Sequence, residues 1–172
     1  MSGFVTREII GAEAAFGNLA ELKKSARNKI LRKAVTQATR LVLAGVKGYA
    51  KKIRDSGLLY RSLGSKVKTY SNGTVVGIVG PRKGFGQVVV SKTGKREKRD
   101  PIFYAHLVER GTQAHQLGKG ANIRSSRRSI GLSHLHPGAK AQPFMRPGWD
   151  QSEAPARKRI AEVVLAEIEG LK

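Results

Sequence analysis

Four histidines, His106, His115, His134 and His136, are the side chains best suited to hold a metal ion. His134-Leu135-His136 has a chelating spacing, but no Asp or Glu stands near it and no HExxH pair exists. A turn at His136-Pro137-Gly138 explains the stretch more simply. Nucleophilic catalysis needs a serine oriented by a histidine and an acid. There is no GxSxG elbow, and the serines gather in a basic, loop-like stretch. Gly84-Phe85-Gly86 shares glycines with phosphate-binding loops, without the GxxxxGK[ST] order or a βαβ setting. Carboxylates are scarce and mostly single, which leaves no pair spaced for hydrolysis. Glu109, beside Arg110, is the acid of most interest. A salt bridge or a cap at a subunit contact accounts for it better than a general base does. These residues predict a protein that is not an enzyme and carries no cofactor and no metal.

The abundant chemistry is cationic. Thirty-three Lys and Arg face twelve Asp and Glu, a formal net charge of +21 in 172 residues. Charge this far from zero repels itself unless an anionic partner is near, and the two partner classes are nucleic acid and an acidic protein surface. Between Leu22 and Arg54 every charged residue is basic: Lys23, Lys24, Arg27, Lys29, Arg32, Lys33, Arg40, Lys47, Lys51, Lys52 and Arg54. More follow in two aperiodic stretches, 82–99 with Lys95, Arg96, Lys98 and Arg99, and 113–140 with Arg124, Arg127 and Arg128. Aromatic residues are few beside these cations, which points to phosphate-backbone contact rather than base stacking. A solvated basic face with its counterions is the competing reading. Cysteine is absent, which excludes disulfides and thiol chemistry and suits a reducing cytoplasm. The chain has no eighteen-residue apolar run, and its N-terminus lacks the order of a signal peptide.

The elements that must position these groups follow from periodicity. Residues 1–12 read as an arm with Phe4, Val5, Ile9 and Ile10 as anchors, and Ala14, Ala15, Leu19 and Leu22 share a helical face. A long helix is expected from Ser25 or Ala26 to Arg54. Its apolar stripe holds Ile30, Leu31, Ala34, Val35, Ala38, Leu41, Val42, Val46, Tyr49 and Ile53. Gly45 and Gly48 either bend it or admit a second helix. Gly57 to Gly64 is expected as a linking turn. Ser65–Tyr70 and Thr74–Val79 alternate as strands around a two-residue Asn72-Gly73 hairpin, stopped by Gly80-Pro81, and Gln87–Ser91 is a third short strand. Asp150 to Lys172 closes the chain as a helix. Asp150 and Glu153 are its capping pair, Pro155 lies in its first turn, and Glu162, Glu167 and Glu169 form an acidic patch. The expected class is α+β, one domain over 1–172: a small antiparallel sheet covered by the long N-terminal helix and the C-terminal helix, with two long basic loops.

Two stretches remain. In YAHLVERGT, Tyr104, Leu107 and Val108 fall on one helical face, and Gly111 follows as a left-handed cap. In AQPFMRPGWD, Phe144, Met145 and Trp149 ride on a stiff connector between prolines. YAxxVExGT followed by QPFMRP and a final helix resembles the tail-completion or neck proteins of long-tailed phages, the gene-product-ten-like tail components. The resemblance covers most of the chain in order, including GLLYRSLGSKV (57–67), while the two basic loops depart from the family's usual length.

It implies a structural virion protein, made in the host bacterial cytoplasm. Such a protein forms a ring of six or twelve copies at the head–tail connector or the top of the tail tube. Its partners would be head-closure or connector proteins, tail-tube or tail-terminator proteins, and the double-stranded DNA in the channel, with no membrane. Ring contacts between unlike patches would use Tyr104, Glu109, Arg110 and Thr112 on one side, and Phe144, Met145, Arg146 and Trp149 on the other. Core packing within the chain is the competing reading of the apolar members. The alternative function is a free, non-catalytic protein that binds nucleic acid without reading sequence.

Overall fold

The computed structural model describes residues 23–53, 57–90, 94, 96–116 and 135–170. Helix α1 spans Lys24–Lys52. Its buried stripe, Ile30, Ala34, Ala38, Val42, Val46 and Ala50, recurs every four residues. Four residues advance slightly more than a turn, so the stripe drifts by about 40° per step around the helix. The N-terminal end of the stripe therefore packs on a second helix, and its C-terminal end meets both that helix and the rest of the core. Leu41, expected on the stripe, falls off this drifting line and is exposed.

The second helix, α4 (Met145–Glu169), lies antiparallel to α1. Val163 and Val164 pack with Ile30 and Ala34 at one end, and Gly148 meets Val46 at the other. The two backbones touch there. A Cβ on Gly148 would stand 2.5 Å from Val46 Cα, and one on Gly45 would stand 2.0 Å from Ser152 Oγ. Of the two alternatives for the α1 glycines, close approach holds at Gly45, while nothing lies within 4 Å of a Cβ at Gly48.

Strands β1 (Leu63–Thr69) and β2 (Val75–Pro81) form an antiparallel pair packed on α1. The α+β arrangement expected from the sequence is the one observed. The hairpin turn differs in detail. Gly73 N donates to Tyr70 O, and Tyr70 N donates to Thr74 O, so the loop holds three residues with Gly73 at φ +89. Gly57 to Ser62 is not a plain turn. Gly57, at φ 71, opens a short helix α2 (Leu58–Ser62) that sinks Leu58 into the interior ahead of Leu63.

The 82–99 stretch is not structureless. It holds a separate hairpin of β3 (Gln87–Val90) and β4 (Arg96–Arg99). Helix α3 spans Pro101–Arg110, with the Asp100 side chain accepting from Ile102 N at its start. Its inward face is Pro101, Tyr104, Ala105 and Val108, whereas Leu107 points outward. The two ends of the 113–140 stretch pair as β5 (His115–Gln116) and β6 (Leu135–His136), continued by a Thr112–Ala139 bridge. The arm at 1–12, the helical pattern ending at Leu22 and the middle of the 113–140 stretch lie outside the described residues.

Helix α4 starts five residues earlier than the sequence suggests. Met145 and Arg146 are helical, so Phe144, Met145 and Trp149 do not sit on an extended connector. Pro147 takes the first turn, and Pro155 lies inside the helix. Asp150 and Glu153 are then too far along to cap. Glu153 instead pairs with Arg157 at 2.6 Å. Of the acidic patch, Glu167 pairs with Lys33 of α1 in the same chain, and Glu162 accepts from Arg159 within α4.

Candidate functional site

The early start of α4 leaves its first amides in need of acceptors. Glu109 supplies them. Its Oε2 accepts from Phe144 N at 2.7 Å and Met145 N at 2.9 Å, and its Oε1 accepts from Arg146 N at 3.0 Å. A carboxylate at a helix N-terminus also meets the positive end of the helix dipole. Partial burial pushes the Glu109 carboxyl up. The three backbone donors and neighbouring Arg110 outweigh this and hold it below its ordinary value. The residue is ionised at neutral pH and fixed between two helices.

Three further features hold Glu109 in place. Gly111 ends α3 at φ 71 and ψ −176, a positive-φ extended conformation rather than the left-handed helical one. A Cβ there would also stand 2.5 Å from Ala139 O. Gln142 N donates to Val108 O at 2.8 Å, and Thr112 exchanges backbone bonds with Ala139 at 2.9 and 3.0 Å. YAHLVERGT and AQPFMRPGWD are thus two halves of one joint, 35 residues apart in sequence at Glu109–Phe144.

Three residues of the expected ring contact already have partners within the chain. Glu109 serves its own chain, because both its oxygens are taken by α4 amides. Phe144 is 1% exposed and belongs to the core with Val46, Leu63 and Ala105, where core packing wins over contact with a neighbour. Thr112 is engaged by Ala139 through both backbone and Oγ1. Met145 and Tyr104 are half-buried, Met145 against the core. Arg110, Arg146 and Trp149 are exposed around the joint, Trp149 by 49%. Phe103, at 74% exposure, stands out from α3 and was not singled out by the sequence. Its neighbour Ile102 is also exposed, so only the orientation of the helix distinguishes it.

The described cationic residues do not form one patch. Lys29, Arg32, Lys33 and Arg40 line a shallow groove along the outer face of α1 with Thr36 and Gln37. At the far end Lys51 is exposed, while Lys47 and Lys52 lie over the rings of Tyr60 and Tyr49, at 5.5 and 4.7 Å. Such placement keeps the charge while restraining the side chain. Arg96, Lys98 and Arg99 sit on β4. Arg54, Lys95, Arg124, Arg127 and Arg128 lie outside the described residues, as does His134. Among the described residues no three His, Asp or Glu side chains gather as metal ligands, and no helix is long and apolar enough to cross a membrane.

No protein-family model, curated protein or solved structure matches this chain.

Proposed function

We propose that this chain is a non-catalytic structural subunit that closes into a ring at the head–tail junction of a tailed phage, around the DNA channel. The carrying observation is the Glu109 joint. The two motifs on which the resemblance to neck proteins rests are brought together and hydrogen-bonded to each other. A joint so fully satisfied within one chain serves to present the exposed residues around it, Phe103, Arg110, Arg146 and Trp149, in a fixed relation. Large exposed apolar side chains on a chain of charge +21 also fit an assembly in which apolar contacts oppose charge repulsion. DNA in the channel would neutralise what remains.

The test is the mass of the purified protein in solution with and without duplex DNA, together with head–tail joining in extracts lacking the native protein. Closed oligomers and restored joining are expected. A monomer that binds DNA and joins nothing would favour the second reading, a free nucleic-acid-binding protein. The basic groove along α1 is the observation on its side.

A further inference from the structure

A trough of about 410 Å³ runs between α1, β2 and α4. Val35, Ala38 and Val42 form its floor, Val75, Val76 and Val79 one wall, and Met145, Trp149, Ala156 and Ile160 the other. Its β2 wall is unusual. The sheet has two strands, and among the described residues no strand lies beyond β2. Edge strands are ordinarily guarded by charges, as β1 is by Lys66 and Lys68. The β2 sequence, VVGIVGP, carries none. An uncharged edge over an apolar floor, beside a half-exposed tryptophan, is a surface suited to receive an extended apolar segment.

The same molecule displays such a segment elsewhere. Among the described residues, the β3–β4 hairpin contributes to neither core cluster and packs substantially on no other element. Val88 and Val90 are 63% and 61% exposed. They lie opposite Lys98 and Arg96, so one face of the hairpin alternates two valines with two cations. Glu153 stands on the trough's rim with one carboxylate oxygen on Arg157 and the other without a described partner. The hairpin face and the trough therefore match in apolar character, and the hairpin's cations would face a rim that carries Glu153 beside Arg157.

We infer that the β3–β4 hairpin of one copy seats in the α1–β2–α4 trough of the next, Val88 and Val90 over the valine floor and Lys98 or Arg96 towards Glu153. The two surfaces are different parts of one chain, so the contact is heterologous, and repeating it closes a ring or extends a filament. The inference rests on the ring reading above and names the contact that would close that ring.

The absence of cysteine makes the test clean. Val88→Cys and Trp149→Cys are placed in one chain, and also in separate chains that are mixed, then oxidised. The expected result is a ladder of disulfide-linked multimers from the double variant and linked heterodimers from the mixture. Neither single variant alone should give more than slow, random dimers. Val88→Asp with Val90→Asp, both exposed and so compatible with folding, should raise the concentration for half-assembly at least about tenfold, since two charges would enter an apolar trough. If native mass shows closed oligomers but the cysteines do not link, the ring closes elsewhere and this inference falls while the ring reading stands. If no oligomer forms at any concentration, the ring reading itself falls. Trp149 is the sole tryptophan, so its emission reports on the trough. A red shift in the monomer on deleting residues 1–22 would assign the trough to the chain's own N-terminal segment and overturn the inference.

Discussion

Glu109 accepts three backbone amides, where an ordinary side-chain cap satisfies one. Glu109→Gln keeps the size but loses the charge and places an NH₂ beside donors that need acceptors. The expected loss is about 1–2 kcal/mol of stability at neutral pH, the range for an important cap, read as a lower melting temperature. The pH dependence follows from the lowered folded-state pKa. A depressed carboxyl binds fewer protons in the folded state than in the unfolded chain. Its stabilisation is complete above the unfolded value, near 4.5, and drains away as pH falls through the lower folded value. The gap in melting temperature between the native chain and Glu109→Gln should be widest above about pH 5 and shrink towards pH 3. A gap that stays constant across that range would mean that ionisation of Glu109 has no part in the cap.

At the scale of elements, the α1–α4 crossing rests on the absence of two β-carbons. Gly148→Ala would drive a methyl into the Val46 backbone, which cannot move aside as a side chain could. Overpacking of this kind costs about 1–3 kcal/mol or more, and the helices must separate to relieve it. Gly48 lies three residues beyond Gly45 in the same helix, exposed, with open space where its Cβ would go. Gly48→Ala should therefore stabilise the protein by about 0.5–1 kcal/mol, the helix-propensity difference. Chemical denaturation of the two variants gives opposite shifts in midpoint if the crossing is as described. Shifts of the same sign would contradict it.

At the scale of the whole molecule, the described cations lie on several faces, and the groove along α1 is the part of them best shaped to follow a phosphate backbone. Contacts of that kind release counterions. Binding to random-sequence duplex should weaken with salt at a log–log slope of about −0.9 per phosphate, so five contacts give roughly −4 to −5. Changing Lys29, Arg32 and Arg40 to Gln should flatten the slope by about 2–3, with little dependence on DNA sequence before or after. Changing Lys47, Lys51 and Lys52 to Gln should flatten it less, because two of these ammonium groups are held over tyrosine rings. Equal effects from the two triples would spread the DNA contact over both ends of α1. A flat response in the native protein would assign the charge to acidic neighbouring proteins.

Sequence periodicity alone determined the long basic helix, the first hairpin and the mixed α+β class, because each depends on neighbours within a few turns or one tight loop. The bounds of α1 were legible to within about two residues for that reason. The start of α4 was not. Its true cap, Glu109, stands 35 residues upstream of Phe144, while Asp150 and Glu153 offer a closer and misleading local signal. The same non-local contact decided that Glu109 caps a helix of its own chain and that Phe144 enters the core, when their types suited a subunit interface equally well. Helix orientation, which no local spacing encodes, left Leu107 and Phe103 facing outward. The β3–β4 pairing was hidden because the strand Arg96–Arg99 is wholly charged and shows no apolar alternation. Residue types told which groups were present, and only tertiary packing decided which of them were already satisfied.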